Sequence, residues 1–376
     1  MLSLYVHVPY CVGKCLYCGF YSTLYSPQGA DEFLSALNVE AGLCQKNISN
    51  RHIDSIYIGG GTPTVLSLVQ LERLINIIKL YFPFDDLAEF TVEVNPNTVT
   101  EKGLSFLLEQ GVNRLSLGIQ SFSDKALSAL GRLHTVEQAE DAFRHARSAG
   151  FKNISIDLIY GIPGQTKAQW QETVDAAIAL KPEHISAYSL SLDEGSQFML
   201  LAKMKKFALP EDEVTAEMYE RAVSILSRAG YQRYEVSNFS LPGFECRHNQ
   251  NYWDRGEYLG LGPGASSFLA GKRYDNIADT SEYVRRLSRG LPAIENEETV
   301  GGDSAARETI LLGLRTARGV DLARFQREHG TEFLKRLEKN IGSLEAAGLL
   351  LVMEVHLKLT DRGFLLSDAA ITRLCV

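Results

Sequence analysis

The sequence predicts an α/β fold, a partial parallel (β/α)6 barrel followed by a mostly helical, winged-helix-like C-terminal domain. Three observations predict it. Apolar, β-branched runs recur at residues 4–8, 53–58, 90–94, 114–119, 154–159 and 184–190. Helix-patterned stretches separate them at 31–44, 68–81, 101–109, 124–130, 136–149 and 167–180. Each apolar run ends in a polar or Gly/Pro-containing turn. Strict alternation of this kind means a parallel sheet with right-handed crossovers, and six units leave the barrel partly open.

The barrel is expected over residues 1–205, an aromatic-rich connecting segment over 206–300 and the winged-helix-like unit over 301–376. Within the middle segment a helix is expected at 212–229, and residues 231–268 show no clear periodicity, so they read as a lid. The last segment reads as three helices, then residues 349–359 with a hairpin turn near Glu354. Its charges are balanced and it has no basic recognition helix, which favours a packing or docking role over DNA binding.

Of the 376 residues, 45% are hydrophobic and 22% charged. No apolar run approaches the roughly 18 residues needed to span a bilayer, so the expectation is a soluble protein. The first residues read as a strand and not as a signal peptide, which places the chain in the cytoplasm. A net charge of −8 argues against a surface built to grip nucleic acid or anionic lipid.

Six cysteines in a long chain without a secretory start favour metal over disulfides where their spacing is tight. Cys11, Cys15 and Cys18 fall within eight residues, in the loop after the first strand; Cys44, Cys246 and Cys375 are scattered and read as ordinary thiols. Tetrahedral zinc wants a fourth ligand, and Gly19, Phe20, Tyr21 and Ser22 supply none. Three thiolates on a [4Fe-4S] cluster leave one iron with an open position, which the amino and carboxylate groups of S-adenosylmethionine would chelate.

Ligands of such barrels are handled at the C-terminal ends of the strands. There the second strand runs into Gly59-Gly60-Gly61-Thr62-Pro63, where bare backbone permits close approach of an amino-acid moiety; the plainer reading is a tight turn. Glu93 ends the third strand and faces either the barrel mouth, where it would accept from a ribose, or a buried pair. Gln120 follows the fourth strand, and the fifth carries Asp157 into a Gly-Ile-Pro-Gly turn at 161–164.

With these residues in place the chain resembles the radical S-adenosylmethionine superfamily. Within it, the resemblance is to the oxygen-independent coproporphyrinogen III oxidases and their HemW-type haem-chaperone relatives. The carrying motifs are Tyr-Val-His-Val-Pro at 5–9, Gly-Gly-Gly-Thr-Pro-Thr at 59–64, Glu-Val-Asn-Pro at 93–96, residues 111–122, Leu-Gly-Arg-Leu-His-Thr at 130–135 and residues 157–166. The resemblance implies that Tyr5, Gly60 and Glu93 contact cluster-bound S-adenosylmethionine. It also implies that Tyr17, Gly61, Thr62, Gln120, Arg132 and Asp157 correspond to residues around a second such molecule in the oxidases.

The oxidases carry a fourth cysteine two residues after the third and a longer N-terminal arm. Here Phe20 stands at that position and ten residues precede Cys11. The segment Cys246-Arg247-His248-Asn249-Gln250-Asn251-Tyr252-Trp253 resembles instead the His-Asn-x-x-Tyr-Trp element of the HemW group, which implies haem binding through His248, Asn249, Tyr252 and Trp253. An imidazole suits haem iron and flat aromatic faces suit a porphyrin; Cys246 would be a competing soft ligand. The plainer reading is a hydrogen-bonded lid histidine beside core aromatics.

The implied function is a haem chaperone that uses a [4Fe-4S] cluster and S-adenosylmethionine to deliver haem to respiratory haem proteins, from the cytoplasm or the membrane periphery. An electron donor is implied, and a homodimer is a candidate assembly. The alternative is radical decarboxylation of coproporphyrinogen III propionates; a third reading is an oxygen-sensing winged-helix regulator.

Overall fold

The structure, a computed structural model, describes residues 1–48, 51–204 and 206–375. Strand β1 (Leu2–Val8) is covered on both faces, as a parallel strand between two packed layers must be. It is followed by β2 (Ser55–Gly60), β3 (Glu89–Val94), β4 (Arg114–Gln120), β5 (Ile154–Tyr160) and β6 (His184–Ser189), each pairing parallel with the one before. Helices α1 (Pro27–Ile48), α2 (Leu68–Tyr81), α3 (Glu101–Glu109), α4 (Asp124–Ala129), α5 (Val136–Ala149) and α6 (Lys167–Ala179) fill the crossovers. The expected six units are therefore present, and the barrel is open.

Capping chemistry fixes several helix starts. Ser67, Thr135 and Thr166 each accept from the third backbone N–H of their helix while a glutamine side chain returns the bond. Helix α1 begins four residues earlier than expected because Pro27 is preorganised for the first helical position.

The segment over 231–268, expected as a lid, instead belongs to the sheet. After α7 (Gln197–Lys203) and α8 (Asp212–Arg228), the strands β7 (Gln232–Arg233) and β8 (Asn238–Ser240) extend the sheet beyond β6 in antiparallel fashion. The chain then crosses through α9 (Arg247–Trp253) to the opposite edge, where β9 (Glu257–Leu261) pairs parallel with β1. Antiparallel β10 (Ser266–Leu269), β11 (Lys272–Asn276) and, after α10 (Thr280–Leu287), β12 (Ile294–Thr299) follow. Among the described residues one twelve-stranded sheet results, ordered β12-β11-β10-β9-β1-β2-β3-β4-β5-β6-β8-β7. These added strands are short, and all of β12 is exposed, so no apolar alternation marks them.

In the C-terminal segment, α11 (Gly302–Leu314) leads into the short β13 (Val320–Asp321), then α12 (Leu322–His329) and α13 (Thr331–Ala346). A hairpin of β14 (Leu350–Met353) and β15 (His356–Leu359) follows, with β13 antiparallel beside β15. Glu354 turns this hairpin at φ 53°. No helix among the described residues is long and apolar enough to cross a membrane.

Glu40 joins α1 to the added edge. Its buried carboxylate accepts from the Gly262 N–H at 2.8 Å, the Tyr283 hydroxyl at 2.6 Å and the Asn276 amide. Burial pushes its pKa up to about 7, against those three bonds. A carboxyl raised in this way keeps its proton in the folded chain at pH values where the unfolded chain has lost it. Its contribution to stability is thus full below the ordinary value of 4.5 and is lost as pH rises through about 7. Urea unfolding across that range should show the wild type losing up to about 3 kcal/mol relative to Glu40→Gln. Parallel stability curves for the two proteins would remove Glu40 as the source.

Candidate functional site

The cysteine loop leaves the C-terminal end of β1. A short parallel pair, Tyr10–Cys11 with Thr23–Leu24, closes its base, and the Leu16 N–H donates to the Leu130 carbonyl at 3.1 Å. Cys11, Cys15 and Cys18 line one cavity of about 440 Å³. Cys11 Sγ lies 3.5 Å from the Thr62 hydroxyl, and Arg132 Nη1 donates to Cys15 Sγ at 3.6 Å. Arg132 Nη2 donates to the Gly118 carbonyl at 2.6 Å, and its buried Nε has no partner. Among the described residues no three His, Cys, Asp or Glu side chains converge tightly enough to hold a single metal ion.

The glycine turn is bare for a steric reason. A Cβ on Gly61 would sit 2.5 Å from the Tyr10 carbonyl oxygen and 2.8 Å from that of Val8; one on Gly60, at φ +104°, would enter the His7 ring. Glu93 accepts from the Tyr57 hydroxyl at 2.9 Å and from the Gly60 N–H at 3.1 Å. Burial pushes its carboxyl up to about 7, with Asp157 adding to the rise and the two donors opposing it. Asp157 accepts from Ser186 at 2.7 Å, Ser116 at 2.9 Å and Ser155 at 3.3 Å; burial still raises its pKa. Gln120 holds a left-handed backbone at φ 69°, unusual for a residue with a Cβ, at the strand end that opens on this space.

Of the residues expected to bind S-adenosylmethionine, Tyr17, Gly60, Gly61, Thr62, Glu93, Gln120, Arg132 and Asp157 all line the cysteine cavity. Tyr5 does not. It opens on a second cavity of about 650 Å³, and its hydroxyl lies 3.1 Å from His7 Nδ1. Gly19, Phe20, Tyr57, Glu93 and Tyr188 line both cavities, so the two adjoin. Sequence reasoning missed Tyr57, Tyr188 and the serines around Asp157. Tyr57 on β2 stands opposite Thr91 on β3, so strand alternation puts Glu93, two residues on, on the same face within reach of its hydroxyl.

The second cavity receives His248, Asn249 and Tyr252. The Glu89 carboxylate accepts from the first N–H groups of α9, those of Arg247 at 2.9 Å and His248 at 3.0 Å, and so fixes the helix on the sheet. His248 is buried and both ring nitrogens are engaged, Nδ1 with Ser55 Oγ at 3.0 Å and Nε2 with the Tyr252 hydroxyl at 2.9 Å. Burial, reinforced by Arg114, holds its pKa down to about 3, so the imidazole is neutral at working pH. Trp253 is not brought to this cavity; it lines a separate depression with Gln250, Thr316 and Arg318. Cys246 also points elsewhere. Its buried thiol bonds Glu89 at 3.3 Å and is pushed up to about 12 by burial.

Three thiols, a bare backbone edge, two half-buried carboxyls and an unsatisfied guanidinium nitrogen face one space. That donor set fits a cluster on three thiolates with a polar, amino-acid-like ligand beside it.

Residues 5–177 match the Radical SAM superfamily, and residues 302–366 match the HemN C-terminal domain. The chain is 39% identical to a protein of Lactococcus lactis named heme chaperone HemW, over 97% of this chain and 95% of that protein. Its identity to the heme chaperone HemW of Bacillus subtilis is 36%, covering 98% and 97% of the two chains. The solved structure of coproporphyrinogen III oxidase (HemN) from Escherichia coli, a radical SAM enzyme, superposes with a TM-score of 0.87 at 26% identity, covering 100% of this chain and 90% of that one. Together with the cysteine loop and the open parallel sheet, these matches place the chain in the radical SAM superfamily, in the family of the heme chaperone HemW proteins.

Proposed function

We propose that this chain is a haem chaperone: it binds haem, holds a [4Fe-4S] cluster on Cys11, Cys15 and Cys18 with S-adenosylmethionine alongside, and delivers haem to respiratory haem proteins. The observation that carries this reading is the match, along nearly the whole chain, to relatives named heme chaperone HemW. The identity to the oxidase HemN is lower, and Phe20, two-thirds exposed, stands where the oxidases carry a further cysteine. The size and lining of the second cavity support the reading too, since about 650 Å³ with aromatic walls suits a planar ligand.

In this reading the three thiolates leave one iron for S-adenosylmethionine, and the Gly60–Gly61 edge admits its amino-acid part without side-chain obstruction. A cluster held by Cys11, Cys15 and Cys18 and reduced by an external donor would supply the electron for cleavage of the sulfonium. Glu93 and Asp157 serve as acceptors toward amine and hydroxyl groups of that ligand, and Arg132 keeps a positive charge beside the thiolates. Haem is taken up in the adjoining cavity. For His248 to bind its iron, Nε2 must exchange the bond to Tyr252, so capture and opening of that pair are one event. The reductant and the haem acceptors meet the protein from outside, in the cytoplasm or at the membrane periphery.

Reconstituted, reduced protein is expected to form 5′-deoxyadenosine from S-adenosylmethionine under anaerobic conditions, measured by chromatography, and Cys15→Ala to lose that activity. Product from the Cys15 variant at the wild-type rate would refute the cluster assignment.

Haem retention, followed by absorbance, should weaken roughly tenfold in His248→Ala while the cluster iron content stays unchanged, as expected if the imidazole holds the haem iron. Stoichiometric haem in that variant would end the role of His248 as ligand. With coproporphyrinogen III the expected product mass is that of the untouched substrate; decarboxylation would return the chain to the oxidases.

A further inference from the structure

One wall of the second cavity is built from Arg255, Arg273, Phe268, Tyr258 and Glu308. Arg255 ends α9 in the left-handed turn at φ 54° that closes a helix, where the Gly256 N–H donates back to the Asn251 carbonyl at 2.8 Å, and this turn sets the direction of its side chain. Its guanidinium lies over the Phe268 ring at 4.7 Å. Arg273 is the cross-strand partner of Phe268 and covers the same ring at 5.8 Å. Tyr258 pairs with Phe268 from the other side. Two guanidiniums are thus stacked at the edge of an aromatic wall, the arrangement that aims planar donor forks at a carboxylate.

One carboxylate already occupies that fork. Glu308, from α11, accepts from Arg255 Nε at 2.6 Å through one oxygen and from Arg273 Nη2 through the other. Glu298 holds a second nitrogen of Arg273 at 2.8 Å, but it is largely exposed and lies outside the cavity lining. Glu308 belongs to the segment that matches the HemN C-terminal domain, whereas Arg273 lies on β11 of the main sheet and Arg255 in the turn between α9 and β9. The bridge is therefore also the contact by which α11 closes the cavity.

We propose that Arg255 and Arg273 anchor a propionate of a tetrapyrrole lying against Tyr258 and Phe268, and that Glu308 holds their place until the propionate displaces it. The proposal rests on the haem reading and adds to it how the ligand is oriented and what it moves. A propionate is the same functional group as the Glu308 side chain, so the exchange leaves the charge of the fork unchanged. What changes is the tie between α11 and the sheet edge, which is released as the ligand settles. With the acid groups at the two arginines, the ring lies along Tyr258 toward Tyr252, whose ring meets that of Tyr258 at 4.7 Å between centroids, and toward His248 beyond it.

The test is a titration of the full chain with ferric haem and with haem dimethyl ester, in which both propionates are blocked, followed by Soret absorbance in one detergent-containing buffer. The wild type is expected to prefer the free acid by roughly tenfold, the scale of a charge-assisted pair of bonds. Arg255→Gln and Arg273→Gln should each erase that preference while binding the ester as the wild type does, which also shows that they are folded. Glu308→Gln should bind the free acid several-fold tighter and leave the ester unchanged. Equal affinity of the wild type for acid and ester, or a preference that survives in Arg273→Gln, overturns the anchor and leaves the haem reading standing. Binding of neither compound by the wild type overturns both.

Discussion

Both cavities depend on the register of β1 between β2 and β9. Ser3 faces Ser55, Tyr5 faces Tyr57 and His7 faces Gly59 across one edge, while Tyr5 faces Gly260 across the other. At the N-terminal end this register brings the Ser3 and Ser55 hydroxyls to 2.7 Å, and Ser55 in turn bonds His248. At the C-terminal end it sets the cysteine loop against the glycine turn, where the Gly61 N–H donates to the Val8 carbonyl at 2.8 Å and the Thr62 N–H to that of Tyr10 at 2.7 Å. A slip by one residue would turn Tyr5 and Tyr57 away from their cavities and break the Ser55 bond that orients the imidazole. One ladder thus positions the cysteine loop at its end and the histidine on its flank.

The buried charges near this ladder are tolerated because each is answered locally. Glu89 is satisfied by two backbone N–H groups and the Cys246 thiol, and Arg114, almost wholly buried on β4, lies close enough to feel both Glu89 and Cys246. Asp157 is answered by three serine hydroxyls and Glu93 by a tyrosine and a backbone amide. The difference matters for chemistry. Burial leaves Glu93 and Asp157 with raised proton affinity despite these donors and the nearby Arg114, so each gains from any further donor that a bound polar ligand would bring.

The sequence made the βα units legible because parallel strands buried on both faces are written as continuous apolar runs, and the capped helices carry their own start signals. The cysteine spacing was legible because the three thiols share one loop. The second half of the sheet was hidden. Strands of two to six residues toward the margins of a sheet need bury only one face, and β12 buries none, so their pattern lies in hydrogen bonds rather than in residue type. The haem-like motif shows a related limit. Successive letters in a motif say nothing of direction, but α9 is a helix: His248 and Tyr252, four apart, share a face, whereas Trp253, five apart, is rotated by about 140° from His248. Only the fold shows that Trp253 belongs to another surface.

Because Tyr57, Glu93, Tyr188, Gly19 and Phe20 border both cavities, a ligand in either one touches the same wall. A substitution at Tyr57 or Glu93 therefore changes both sites at once and cannot separate them. Residues that line one cavity alone can: Cys15 and Arg132 on the thiol side, Arg255, Arg273 and His248 on the aromatic side. The shared wall also explains why Tyr5, expected beside the cluster, opens on the larger space. It lies on the same strand that carries the cysteine loop but six residues before Cys11, and strand alternation with the pull of His7 turns its ring to the flank where His248 lies. The division between the two sites thus falls at the end of β1, between His7 and Cys11, and the Tyr57–Glu93 pair on the neighbouring strands is its physical partition.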